Sequence, residues 1–493
     1  MRSLYQSFIK NLLTSSSSPH PSSFSVILFP MPNISSRGKN LPKPPGMFST
    51  LGPSFILLGL ALGSGELIMW PYLAANYGLG ILWGGMLGIT FQFVLNTETM
   101  RYTLAWGESV FVGFRKLSII IPLWYIISTF IPWSLPGFSS ASSQILSNYL
   151  NFPHAEAIIA VGLLLLTGTI LSAGKFLYNT MEFLQRGVIM IGLPFTIILA
   201  AILTNRTDWI EAAWGLIGRG DGWWFFPQGI AIASFLGAFA YSGAGGNLNL
   251  AQSYYIKEKG WGMGKFAGKI SSLFSKDAKP TAIEGRTFKD TPANHKKWQG
   301  WWRVINFEHA MIFYLLGFVT IVVMAVLAKS LVFGQGVGAG LSFLHAESAM
   351  IASRTAPIVG TFFLFVAALM LFSTQMGILE SSSRIISENV VLLFYKKGRK
   401  FNLSLGFYIA LWAQILLGIF IYLSGFREPR FLLTLGAVLN AAAMMVSFPL
   451  LFWLNKKKLP RAYQPGWVRK LIMLTAFLFF VVFVVVTLQN FKI

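Results

Sequence analysis

Long apolar runs, each closed by a short polar or basic stretch, repeat along the chain from Gly52 to Leu488. Each is about 20 residues long, enough for an α-helix to cross a hydrocarbon layer about 30 Å thick. The pattern predicts eleven spanning helices: Pro53–Tyr77, Ile81–Ala105, Ile119–Pro136, Glu156–Ser172, Met181–Leu203, Gly229–Tyr255, Val304–Leu327, Pro357–Ile378, Ser404–Leu423, Phe431–Leu454 and Leu471–Leu488. The eighth run can extend to Leu393. Residues 1–46 read as a disordered tail, because their serine and proline clusters cannot bury a core. Its short apolar run Phe24–Phe29 leads into prolines rather than a small-residue cleavage site, which argues against a signal peptide. Residues 47–256 then hold helices 1–6, residues 257–303 a basic, glycine-rich cytosolic loop, and residues 304–493 helices 7–11.

Composition agrees with this division. Hydrophobic residues make up 54% of the chain and charged residues 11%, against about 25% charged in a soluble domain. There is no cysteine, so disulfides and thiolate metal sites are excluded. The net charge of +22 raises the question of nucleic acid, and its distribution answers it. With the N-terminus cytosolic and eleven alternating spans, thirty-two of the 39 Lys and Arg residues fall on the cytosolic side. That is the positive-inside asymmetry of a membrane protein, not a nucleic-acid footprint.

Two spans are interrupted. Helix 1 carries Gly63-Ser64-Gly65-Glu66 near its middle, and helix 6 carries Ser242-Gly243-Ala244-Gly245-Gly246-Asn247. Glycine costs about 1 kcal/mol per helix-interior position relative to alanine, so such clusters favour unwinding. Small residues also let membrane helices pack closely. The two clusters sit five helices apart, at matching positions of a 5+5 inverted repeat. Paired interruptions of this kind point to a transporter's binding site.

Several motifs resemble the Nramp (natural-resistance-associated macrophage protein) family. They run from Gly52-Pro53 through Gly63-Ser64-Gly65-Glu66 to Tyr77-Gly78 and Leu82-Trp83. Arg101-Tyr102-Thr103-Leu104-Ala105-Trp106-Gly107-Glu108, Gly237-Ala238, Asn247-Leu248-Asn249-Leu250, Ser373-Thr374-Gln375 and Phe448-Pro449-Leu450-Leu451 follow in the family's order. The resemblance implies a leucine-transporter-like 5+5 fold with an eleventh helix, and proton-linked uptake of a divalent metal. This chain departs from the family where it matters most. The metal-binding Asp and Asn of the D-P-G-N motif stand as Gly63 and Glu66, and the metal-binding Met and the His of helix 6 as Ala244 and Gly246. Helix 3 holds no acid and helix 9 no arginine, although the family has them there.

The candidate substrate site therefore comprises Glu66, Gly63, Ser64, Tyr241, Ala244 and Asn247, with Glu66 as the metal ligand and Glu380 as a possible second acid. An intramembrane acid is a functional-site candidate by default. Glu66 has a local alternative as a cap on the second half of helix 1, and Glu380 as the i,i+4 partner of Arg384. Glu98 and Glu182, near helix ends, read as structural, and His309 has no partners at ligand spacing. Asn247 and Asn440 can equally bridge helices. A carboxylate, a hydroxyl and the Gly63 and Tyr241 carbonyls suit a hard cation such as Mg²⁺ or Mn²⁺, partly hydrated. A small amine or amino acid, in a pocket lined by Trp70, Phe239 and Tyr241, is the alternative substrate. A receptor-like relative that transports nothing is the other. No cofactor and no enzymatic nucleophile–base pair is expected. The coupling ion, proton or sodium, stays open. The expected setting is a lipid bilayer, as a multi-pass protein of a bacterial inner membrane.

Overall fold

The computed structural model describes residues 38–46, 52–150, 152–173, 177–267, 283–336, 341–394 and 402–490. The expectation of a disordered tail falls, for residues 1–37, outside the described residues.

Among the described residues nine helices are long and apolar enough to cross a membrane: Pro53–Tyr77, Leu79–Trp106, Glu156–Ala173, Leu177–Leu203, Pro292–Val332, Pro357–Leu393, Leu403–Leu423, Pro429–Lys458 and Trp467–Gln489. These are helices 1, 2, 4, 5 and 7–11. Helices 3 and 6 complete the predicted eleven, each in two pieces. Helix 3 runs Ile121–Trp133 and then Gly137–Tyr149, so the single span expected over Ile119–Pro136 is corrected. Pro136 has no N–H for the helical ladder and disfavours helix in the residue before it. Helix 6 runs Ile232–Ala240, opens over residues 241–245, re-forms as a 3-10 turn over Gly246–Ala251 and ends as Gln252–Lys259.

Helix 1 corrects another expectation. Its glycine cluster does not unwind. Residues Leu62–Met69 form a π-helical stretch between Pro53–Ala61 and Trp70–Tyr77. Pro71 lacks the N–H that would serve the Leu67 carbonyl four residues back, and the turns before it widen. A second π stretch, Ala310–Leu316, lies in helix 7.

Helix 7 starts at Pro292, well before the predicted Val304, and so consumes the end of the basic loop. The Thr291 hydroxyl caps it by accepting from the Asn294 N–H. Buried Trp298 and Trp301 anchor this polar first half. Trp298 packs edge-on against Tyr463, and the Trp301 indole donates to the Pro42 carbonyl.

Part of the buried core lies where helices 1, 2 and 6 meet. Trp70 is fully buried, packs edge-on against Phe235 and donates its indole N–H to Ser242 Oγ at 3.0 Å. Gly84 and Gly85 of helix 2 leave room for that ring. The outward faces of helices 4, 5, 9 and 11 expose large apolar side chains such as Leu165, Phe183, Leu416 and Leu478. Apolar exposure on this scale marks a lipid-facing wall.

Candidate functional site

At membrane depth every backbone N–H and C=O needs a partner. In the opening of helix 6 one side chain meets part of that demand. Gln92 of helix 2 donates Nε2–H to the Ala240 carbonyl at 3.1 Å. Its Oε1 accepts from the Gly245 N–H at 3.1 Å and from Asn249 Nδ2 at 3.0 Å. Gly245 and Gly246 take φ of +76° and +52°, left-handed values that favour glycine. The sequence reading missed Gln92; its signal was a pair of amides one turn apart, Gln92 and Asn96, inside a spanning helix.

Helix 1 presses its glycines against this opening. A Cβ on Gly65 would collide with the Tyr241 carbonyl. Gly63 meets helix 8 instead. Its N–H donates to Thr374 Oγ1 at 3.0 Å, while that hydroxyl donates to the Gly59 carbonyl at 2.8 Å. The structure therefore joins Tyr241 to Gly65, and directs Gly63 elsewhere. Ala244 is buried beside the opening. The side chain of Ser64 lies outside the described residues.

Asn247, expected to bind substrate, is a bridge. Its Nδ2 donates to Ser128 and Thr129 of helix 3, each at 2.9 Å, and its Oδ1 accepts from Ser447 of helix 10. With those groups engaged, it serves helix packing. Glu380, the possible second acid, has built-in partners. It is paired with Arg384, accepts from the Tyr255 hydroxyl at 2.8 Å, and shares Arg384 with Glu258. All three charged groups are buried. Glu98 bonds Arg101 and Arg469, and Glu182 bonds Lys259, consistent with structural roles. His309 has more company than the sequence suggested: its Nδ1 lies 2.6 Å from Ser54 Oγ, which also donates to Glu308.

Glu66 stands apart. It is fully buried in the π stretch of helix 1. Its Oε1 lies against Gly317 of helix 7, beside Ile89 and Leu58. Neither carboxyl oxygen has a hydrogen-bond partner among the described residues. It makes no cap to either flanking segment, so the capping alternative fails. Among the described residues the other buried carboxylate with both oxygens unpartnered is Glu347, on the short helix Ser342–Arg354 outside the spans. Burial pushes Glu347 up to about 8.

Polar capacity also remains open along helices 2 and 6. Asn96 lies one turn beyond Gln92, and Gln252 one turn beyond Asn249. Both amides are buried with no partner among the described residues for either polar atom, and Asn249 Oδ1 and Asn440 Oδ1 are likewise unpartnered there. Buried polar groups of this kind are exceptions that call for a ligand, water or ion. No group of three or more His, Asp or Glu residues positioned to hold a metal occurs among the described residues.

No family model matches the sequence. No characterised protein matches it either. Solved structures do match the fold. A crystal structure of the Eremococcus coleocola manganese transporter aligns with a TM-score of 0.63 at 12% identity, over 92% of this chain and 90% of that one. The same transporter in complex with an aromatic bis-isothiourea substituted compound aligns equally well, at 11% identity. Mhp1, a nucleobase-cation-symport-1 family transporter in a closed conformation with bromovinylhydantoin bound, aligns with a TM-score of 0.51 at 12% identity, over 93% and 94%. At such identities the likeness is one of fold: an all-α membrane architecture of the leucine-transporter-like kind.

Proposed function

We propose that this chain is an Nramp-like secondary transporter that moves a small cation by alternating access around the middles of helices 1 and 6. The observation that carries the reading is Glu66, a fully buried carboxyl group with both oxygens unpartnered. An unpaired charge in a low-dielectric interior is costly unless a counter-charge arrives. A transported cation is that counter-charge, present only when substrate is bound.

The fold shared with a manganese transporter supports the class. The donors near the helix 6 opening are mostly oxygens and amides: the Tyr241 carbonyl, Gln92, Asn249 and Asn440, with one sulfur, Met444 Sδ, 3.6 Å from Asn249 Nδ2. No sulfur or imidazole replaces the Ala244 and Gly246 positions. Such a set favours Mg²⁺ or Mn²⁺ over softer metals, with part of the hydration shell retained. In the arrangement described here Gly65 is sealed beneath the Tyr241 carbonyl. Parting helix 1 from helix 6 would free that carbonyl and turn Glu66 toward the opening.

A second reading, a small polar organic solute, is favoured by the open amides of Asn96, Asn249 and Gln252. A thermal-shift screen on purified protein separates the two, because a ligand of the folded state raises apparent stability. The cation reading expects shifts with Mn²⁺ or Mg²⁺ that vanish in Glu66→Gln. Shifts with amines or amino acids alone would replace it with the organic one.

A further inference from the structure

A cavity of about 710 Å³ opens among the basic residues at the ends of helices 2, 7 and 11. Arg101, Arg303, Arg469 and His295 line it together with Trp302 and Trp467. No acidic residue is among its lining. One carboxylate serves the cluster from behind: Glu98 bonds Arg101 at 2.7 Å and Arg469 at 3.3 Å. The two guanidinium carbons lie 3.8 and 4.8 Å from the centre of the Trp302 ring. Arg101 also donates to the Tyr463 carbonyl at 3.0 Å, and Arg469 to Asn306 at 2.5 Å. These two arginines are therefore held in place before any ligand arrives. Arg303 is exposed and makes no ion pair with any described residue, so the cavity keeps an unneutralised positive charge.

The lining of this cavity continues into an exposed apolar face of helix 11. Trp467 is 75% exposed, and Leu471, Leu474 and Leu478 continue the same exposed face of helix 11 at i+4, i+7 and i+11. A neighbouring groove of about 390 Å³ is lined by Phe448, Phe452, Lys470, Leu471, Leu474 and Phe477. One face of helix 11 thus runs from an arginine-lined cup into an apolar groove.

We infer that the cup and groove form a binding site for an anionic phospholipid, its headgroup phosphate held by Arg303 and the Arg101–Arg469 pair and an acyl chain laid along helix 11. Arginine suits the phosphate because its planar fork offers paired donors. Trp467 sits where amphipathic rings belong, at the membrane–water interface. General positive-inside charge does not need a walled cup, and a free phosphate does not need the groove. The site is independent of the proposed transport reading.

The test is a lipid titration of the full-length protein read by native mass spectrometry, with phosphatidylglycerol and phosphatidylcholine compared. The wild-type protein should retain phosphatidylglycerol preferentially. Arg303→Gln should weaken that binding about fivefold, the worth of one basic side chain near an anionic surface, and leave phosphatidylcholine unchanged. Trp467→Ala should weaken it too. Lys296→Gln, which removes the same charge from an exposed position outside the cavity lining, should not. Equal losses for Lys296→Gln and Arg303→Gln, or no preference for phosphatidylglycerol, would overturn the site. Displacement of phosphatidylglycerol by millimolar inorganic phosphate would overturn the lipid as its occupant. Arg303 and Trp467 are exposed, and thermal midpoints in phosphatidylcholine confirm that both variants are folded.

Discussion

Glu66 and Glu380 are both fully buried acids in membrane-spanning helices, and they are built in opposite ways. Glu380 stands in a closed circuit: Arg384 pairs with it and with Glu258, and the Tyr255 hydroxyl donates to it. Glu66 faces Gly317, Leu58 and Ile89 with both oxygens unpartnered. A buried charge whose compensation is built into the fold ties elements together. One whose compensation is missing waits for something from outside. The contrast separates an acid that holds helices 6 and 8 in register from one suited to take a cation.

The contrast can be broken first at its structural half. Arg384→Met leaves two buried carboxylates without their cation and should cost about 3–5 kcal/mol. The expected result is little or no monodisperse protein after detergent extraction. Adding Glu258→Gln and Glu380→Gln to that variant should recover much of the yield. Opposite signs for the two acids are the next expectation. Glu380→Gln should lower stability in detergent by about 1–3 kcal/mol, read as a lower thermal midpoint, since a partnered group is removed. Glu66→Gln should hold or raise it, since no partner is lost. A drop with Glu66→Gln as large as that with Glu380→Gln would merge the two classes.

Gln92→Ala tests whether the helix 6 opening is as dependent on one side chain as its bonding implies. It strips partners from the Ala240 carbonyl, the Gly245 N–H and Asn249. A loss of about 1–3 kcal/mol is expected, with faster hydrogen exchange confined to residues near the opening.

A pH-dependent effect is expected at Glu347, the unpartnered acid outside the spans. Its ordinary value is 4.5, and burial raises it to about 8 in the folded chain. Between those values the folded protein keeps a proton that the unfolded chain has lost, so stability falls as pH rises through that window. Glu347→Gln removes the dependence. Its midpoint should exceed that of the wild type by a few degrees near pH 8, and the gap should close toward the ordinary carboxylate range. A gap that widens on acidification would contradict the burial account.

The sequence carried most of the architecture because membrane burial writes itself as length and hydropathy. Spans and sidedness need no knowledge of neighbours. The helix 6 opening was legible for a local reason too, since glycines at left-handed φ mark it. Helix 1 was not, although its cluster looks similar. Its small residues serve close approach, Gly65 to the Tyr241 carbonyl and Gly63 to Thr374, and that depends on what lies across the gap. Arg384 could be read as a partner of Glu380 because it is four residues away. Glu258 could not, being 126 residues distant from Arg384. The partners of Asn247 were out of reach for the same reason: they come from helices 3 and 10. The early start of helix 7 was hidden by Lys296 and Lys297, which mask the buried Trp298 and Trp301 in any hydropathy window.

The most direct measurement is cation uptake into proteoliposomes by the wild-type protein, Glu66→Gln and Glu66→Asp, at matched amounts of folded protein. The account predicts uptake of Mn²⁺ or Mg²⁺ by the wild type, none above empty vesicles for Glu66→Gln, and a partial rate for Glu66→Asp, which keeps the charge on a shorter arm. Wild-type rates in Glu66→Gln would contradict it, and would remove the unpartnered carboxylate from the mechanism.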